Sequence, residues 1–436
     1  MRLDKLLIYS LIFSFCLGQF GRLSFFGGNV NIYIWDFLAV GLVGGWMVYK
    51  LGIEKKMKLP PLWLPIFVFS FIAFISLVNG FRWVDAREGI VAAGYWVRWV
   101  VYSGVYFVAS DLFGKDSSIR YQVINTLIAA GVVLAMLGFV QLAIFPDLSQ
   151  LDPELGWDPH KNRMVSTWLD PNFLGAYFVL CLCLLLSRLF FLFDHSPKEA
   201  PNNKFQISNV WNLVFGIWDF FTTSLAGLTV LSIILVIALL LTFSRSAWGM
   251  FAVVLGVFGI LKSRKLLFLM VLMFFSAYFF IPRVQTRISG ITDPADSAHF
   301  RLISWQRTFE IIRKYPVLGV GFNAFRYAQE RAGYFRTERG VPVDSGHAGA
   351  GSDSSILLVW VTTGLLGLIS YLWLYGSVAW QSLEEVTGSK RRNSYFSLSL
   401  LASLGGLFME SNFINSLFYS PVVICLWLSI AVALTD

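Results

Sequence analysis

Arg283-Val284-Gln285-Thr286-Arg287 opens, and Asp344-Ser345-Gly346-His347-Ala348-Gly349-Ala350-Gly351-Ser352-Asp353 closes, the one long polar stretch in a sequence that otherwise runs from one apolar segment to the next. Both flanks of this stretch are apolar runs, so it reads as a loop between two membrane spans. Within it, residues 299–314 predict an amphipathic helix, because Leu302, Trp305, Phe309 and Ile312 recur at helical spacing and form one apolar stripe. That stripe is expected to pack against the membrane domain or lie on its surface. The helix breaks at Tyr315-Pro316, turns through Pro316-Val317-Leu318-Gly319-Val320-Gly321, and gives way to a second short helical run over 323–331.

The chain outside this loop settles the fold class. With 56% hydrophobic and 14% charged residues over 436 positions and a mean hydropathy of +0.66, it is too apolar for a soluble globule. It reads as an all-α polytopic membrane protein. Runs long enough to span lie near 6–20, 32–49, 62–79, 90–110, 121–145, 170–192, 225–243, 246–261, 265–281, 355–377, 395–411 and 414–434, about twelve in all. The organisation is then 1–281 for the first nine spans, 282–354 for the large loop and 355–436 for the last three. The first run resembles a signal peptide in outline but lacks a small-residue cleavage site, so it is read as a retained helix. The aromatic stretch 211–221 reads as an interfacial helix.

The net charge of +8 does not point to nucleic acid, because Lys and Arg stand in short clusters between apolar runs, as topology determinants do. With the N-terminus inside, Lys50, Lys55, Lys56 and Lys58, then Lys115 and Arg120, Arg188, Lys198 and Lys204, Lys262, Arg264 and Lys265, and Lys390, Arg391 and Arg392 all fall on the cytoplasmic side. The loop around Arg163, the turn Ser244-Arg245-Ser246 and the whole of 283–353 then fall on the outer face. That last segment carries ten Lys and Arg residues, and since a loop of this length is largely exempt from the charge rule, its basicity asks for another explanation. All four cysteines lie in spans, which excludes a disulfide framework or a zinc site in the loops. No internal repeat is visible, nor a matched pair of Gly- or Pro-broken spans of the inverted-repeat transporter kind.

Several residues stand out as carriers of chemistry. Arg245 interrupts two apolar runs that leave almost no loop between them, where a guanidinium costs roughly 2.5–3.5 kcal/mol at helix centre and less near the interface. It reads either as a snorkelling anchor or as a bidentate phosphate clamp. Arg163, with Lys161, stands in an outer loop that leads into a span, where Asp170 or the Pro171-Asn172 turn would start the helix. Arg301 opens the amphipathic helix and is a second candidate for the anion, whereas Arg307 and Arg313 read as a solvated face. For a base the chain offers His347, whose imidazole titrates near neutrality, Asp344, and Asp353, which also reads as the N-cap of the following helix. Arg98 and Glu410, both within spans, are expected to pair with one another or to face a cavity. Trp157, Trp168 and Trp305 lie near the outer loops, where an indole can stack on a sugar.

With these residues placed, the chain resembles the bacterial O-antigen ligase and polysaccharide polymerase family. The likeness runs through Arg163 and Asp170-Pro171-Asn172-Phe173-Leu174-Gly175, then Ser244-Arg245-Ser246-Ala247-Trp248. It continues through Arg301-Leu302-Ile303-Ser304-Trp305, the stretch 316–325, and Thr363-Gly364-Leu365-Leu366-Gly367-Leu368. The resemblance implies a GT-C-like membrane fold and an inverting, metal-independent glycosyl transfer on the periplasmic face of the inner membrane, with no cofactor. It implies an undecaprenyl-diphosphate-linked glycan as donor and lipid A-core oligosaccharide or a growing glycan as acceptor, with Arg245 and Arg301 on the diphosphate. Ligases of the family typically carry a His at the position held here by Asp353, so either His347 takes the role of base through a longer loop, or Asp353 replaces it, or the chain belongs to a polymerase-like branch with another arrangement. A protein O-oligosaccharyltransferase is the alternative within the class. A lipid-linked sugar flippase is the alternative outside it, and should need more charge or broken helices in mid-membrane than Arg98 and Glu410 provide.

Overall fold

The computed structural model describes residues 3–25, 30–82, 84–150, 160–194, 218, 220–290, 297–334, 337–338, 341–342, 352–388 and 394–435. A helix occupies each apolar window: α1 (Leu3–Ser14), α2 (Ile34–Val48), α3 (Trp63–Gly80), α4 (Ala86–Lys115), α5 (Ser118–Ile144), α6 (Pro171–Asp194), α7 (Leu225–Leu241), α8 (Arg245–Leu261), α9 (Arg264–Phe280). The loop contributes α10 (Pro282–Ser289), α11 (Ser297–Lys314) and α12 (Phe325–Arg331), and the chain closes with α13 (Ser355–Thr387), α14 (Ser394–Glu410) and α15 (Ser420–Leu434). Among the described residues, Ile34–Glu54, Trp63–Gly80, Ser118–Ile144, Pro171–Asp194 and Ser355–Thr387 are long and apolar enough to cross a bilayer, and α9 with α10, bent by 96°, makes a sixth where the pair counts as one. The remaining helices are shorter or less apolar. Two small antiparallel hairpins accompany them, the first pairing Arg22 with Tyr33 and Phe25 with Val30.

Equally apolar helices have opposite surroundings. From Pro421 to Ala433 α15 is wholly buried, with Trp427 packed edge-on to Trp99 at 6.1 Å. In α9 the reverse holds: Phe268 is 71% and Phe280 82% exposed, and Ala277 alone is buried. An all-apolar helix belongs in a core or against lipid, and here one of each occurs.

The charged connections gather by side. At one end Lys5 pairs with Asp116 at 2.8 Å, Lys50 with Asp111 at 2.6 Å, and Lys262 with Asp194, while Arg120 donates to the Thr435 carbonyl at 2.7 Å. Lys50, Arg120 and Lys262 belong to the set that charge bias assigns to a single face, and Lys5 follows the N-terminus placed on that face. At the opposite end Trp168 Nε1 donates to the Phe15 carbonyl at 2.8 Å and Arg283 reaches Asn162.

One span is broken. At Gly364, inside α13, the backbone turns to φ +68° and ψ −169°. The segment Pro316–Gly321 fills the gap: Leu365 N–H donates to Pro316 O at 2.8 Å, Val320 N–H to Val361 O at 2.9 Å and Gly321 N–H to Thr362 O at 3.0 Å. Broken helix backbone survives at membrane depth only where protein or water satisfies it, and here the chain's own loop does so. A Cβ on Gly319 would lie 2.4 Å from the Thr362 carbonyl, so only glycine lets the two backbones meet.

The expected stripe of α11 packs in part: Ile312 is buried, Trp305 is half-buried and Phe309, 41% exposed, meets the Trp360 ring edge-on at 6.0 Å, while Leu302 is 57% exposed. The helix also buries polar groups that the stripe did not foretell, Ser304 and Thr308, beside Ile311. The cause is polar: Ser304 Oγ accepts from Asp353 N–H at 3.2 Å and Thr308 Oγ1 lies 3.2 Å from Ser352 Oγ, so the helix turns its hydroxyls to the backbone entering α13. The second run is a helix as expected, over Phe325–Arg331. Most of 211–221, expected as an interfacial helix, lies outside the described residues, as does Trp157.

Candidate functional site

Helices α7 and α8 meet at Thr242-Phe243-Ser244, a turn so short that Phe243 adopts φ +47°, unusual for a bulky side chain. Ser244 caps α8 by accepting from Ala247 N–H, which puts Arg245 at the first helical position, among the unpaired N–H groups of a helix start. The Arg245 side chain is half-buried and folds onto α10, where Nη1 donates to the Arg287 carbonyl at 2.9 Å. A residue that only anchored the helix in water would point outward.

Arg163 arrives at the same turn from the other side. Its Nε donates to Thr242 O at 2.8 Å, and the next residue's N–H, that of Met164, donates to Leu241 O at 2.8 Å. The outer nitrogens lie 3.4 Å from His160 Nδ1 and 3.5 Å from Asn172 Oδ1, and Asn172 also accepts from Ser244 Oγ at 2.7 Å. A guanidinium only donates, so His160 Nδ1 is the acceptor in that contact. Asn172 therefore joins the two arginine-bearing segments. Asp170 starts α6 as the sequence predicts, its carboxylate accepting from Asn172 N–H at 2.7 Å and Phe173 N–H at 3.1 Å, with Pro171 first in the helix.

Next to this turn lies a second polar group. Glu410 ends α14 fully buried and accepts from Ser416 Oγ at 2.5 Å. The charges it senses are those of Asp170 and Arg301. Arg301 stands one turn before Trp305, whose ring packs 5.8 Å from Phe413 and whose Nε1 donates to Asp353 O at 3.4 Å. Ser355 N–H donates to Ser411 O at 2.7 Å, which brings the start of α13 beside the end of α14.

The expected pairing of Arg98 with Glu410 does not occur. Arg98 instead donates to Asp36 Oδ2 at 2.9 Å and Asn31 O at 2.8 Å, tying the first hairpin to α2 and α4. Asp36, in the first turn of α2, also accepts from Tyr33 N–H at 2.8 Å. Nor does Asp353 cap α13. Ser354 does, accepting from Leu357 N–H at 3.3 Å, and Asp353 is left one residue outside the helix. His347 and Asp344 lie outside the described residues. Of the sequence candidates, Arg163 and Arg245 share one turn, and Arg301 stands beside the Asp170–Glu410 pair. Sequence reasoning missed that pair. Glu410 was visible only as a charge within an apolar run, with no signal for its neighbours.

Apolar helices with an arginine-lined turn at one end, under a helical loop, define a helical membrane protein with an anion-attracting end. Residues 230–372, from α7 through the break in α13, match the family model described as O-antigen ligase. The match supports assigning the chain to the O-antigen ligase and polysaccharide polymerase family, whose members are glycosyltransferase-like enzymes. Arg245, Arg301 and Asp353 fall inside the matched residues, and Arg163 and Glu410 outside them. No curated protein matches the chain.

Proposed function

We propose that this protein transfers a glycan from an undecaprenyl-diphosphate carrier to a hydroxyl of an acceptor, either lipid A-core oligosaccharide or a growing polysaccharide. The reaction takes place at the periplasmic face of the bacterial inner membrane, in a GT-C-like bundle of about twelve spans. The observation that carries this reading is the convergence of Arg163 and Arg245 on one turn, from segments far apart in sequence. The acceptor oxygen attacks the anomeric carbon with inversion, and the bond from that carbon to the phosphate oxygen breaks, its electron pair leaving with the diphosphate. Arg163, Arg245 and Arg301 neutralise that charge as it develops, usually the largest catalytic contribution. No metal takes part. The proton of the acceptor hydroxyl passes to Asp353 or His347. Asp353 stands just before the Ser354 cap of α13, with its backbone held by Ser304 and Trp305 of α11.

The test is the purified protein in lipid nanodiscs, given a defined undecaprenyl-diphosphate glycan with and without acceptor. Acceptor-dependent release of undecaprenyl diphosphate, lost in Arg245→Ala and in at least one of Asp353→Asn and His347→Ala, is the expected result. Transport of intact donor without cleavage, or full turnover by Arg245→Ala, refutes the proposal.

A further inference from the structure

We infer that Arg283 is the positioning residue of this arginine cluster: its guanidinium fixes the two backbone segments that carry Arg163 and Arg245 and so sets how those side chains meet a diphosphate. The inference rests on the proposed reading of the site. Arg283 stands at the start of α10, which the 96° bend after α9 lays against the turn, with Val284 buried beneath it. Its Nη1 donates to Asn162 O at 2.5 Å and its Nη2 to Lys161 O at 2.5 Å, while its Cζ lies 4.2 Å from the centre of the Phe243 ring. One planar group therefore grips the residues just before Arg163 and stacks on the residue two before Arg245. Both gripped places are strained. Asn162 has φ +48° and Phe243 φ +47°, and Ser166 and Leu169 in the adjoining loop are left-handed as well. Backbone in that region persists where surrounding contacts over-determine it, and it concentrates at binding sites. Arg283 touches both strained residues at once. Two of its five N–H donors go to carbonyls and its face to a ring, so in this proposal it acts by fixing the backbone that carries Arg163 and Arg245. A lysine offers neither the fork nor the flat face.

The experiment compares Arg283→Lys and Arg283→Gln with wild type in nanodiscs, reading donor KM, acceptor KM, kcat and the thermal unfolding midpoint. Both variants are expected to fold and to keep acceptor KM, while donor KM rises about ten- to a hundredfold, the scale on which a misplaced binding group acts. Lysine should not rescue. Combined with Arg163→Ala the effect of Arg283→Gln should be far less than additive, and with Arg301→Ala additive. Donor KM unchanged in both variants, additivity with Arg163→Ala, or loss of the folded protein in both, overturns the inference. Arg245→Ala, run alongside, separates the two ideas: if it is inactive while Arg283→Gln behaves as wild type, only this inference fails.

Discussion

Replacing Gly364 by alanine places a methyl group where the chain has none to spare. The Cβ would lie 2.0 Å from Val317 O, 2.2 Å from Val317 C and 2.5 Å from Leu318 N, all backbone atoms that cannot swing aside. The conformation itself, φ +68° and ψ −169°, is almost exclusive to glycine and costs another residue about 1–3 kcal/mol. The loop must then withdraw, which breaks one or more of the bonds Leu365 N–Pro316 O, Val320 N–Val361 O and Gly321 N–Thr362 O. Each buried backbone group left unsatisfied adds about 1–3 kcal/mol. The loss comes to roughly 2–6 kcal/mol with a single group left unsatisfied, a large effect for one methyl group. The assay is thermal unfolding of the purified protein in detergent, followed by size-exclusion chromatography and donor turnover. Gly376→Ala is the control: it lies in the same helix with nothing within 4 Å of its would-be Cβ, and should be neutral or gain up to about 1 kcal/mol. If Gly364→Ala unfolds at the temperature of Gly376→Ala, the loop does not plug the broken span and the account of the 316–321 motif is wrong.

Glu410→Gln replaces the buried carboxyl on which Asp170 and Arg301 act while keeping the shape at Ser416; donor KM should rise by about tenfold, on the order of 1 kcal/mol, with stability kept, and an unchanged KM would detach Glu410 from the site. Ser354→Ala deletes the cap of α13, and a loss of about 0.5–2 kcal/mol in unfolding free energy is expected, whereas Asp353→Asn should leave stability within about 0.5 kcal/mol; the reverse order would restore Asp353 as the cap. Trp427→Ala, wholly buried in α15, should cost about 3–5 kcal/mol, and Phe268→Ala, 71% exposed on α9, within about 0.5 kcal/mol in lipid; comparable losses would mean that α9 has a protein partner.

The twelve helical windows and the two-sided grouping of the charged connections were legible because each rests on a local property. An apolar run closes its own backbone hydrogen bonds wherever it sits, and Lys and Arg resist translocation wherever they fall. The turn carrying Arg245 was legible for the same reason, as a charge between two apolar runs. The polar face of α11 was not, since its orientation answers to the Asp353 N–H and the Ser352 hydroxyl, some distance along the chain. Asp36 took Arg98 for a comparable reason: the first hairpin brings Asn31 and Asp36 together beside α4.

From sequence alone came the membrane class, the helices, the loop between them and the arginines worth watching. Tertiary structure alone decided which apolar helix is central and which faces outward, since α15 and α9 have the same kind of surface and differ only in their neighbours. It also decided that α13 breaks, because a glycine becomes a hinge only when another backbone arrives to satisfy the groups it exposes. And it brought Arg163 to Arg245, through carbonyls and an asparagine whose contacts no spacing along the chain encodes.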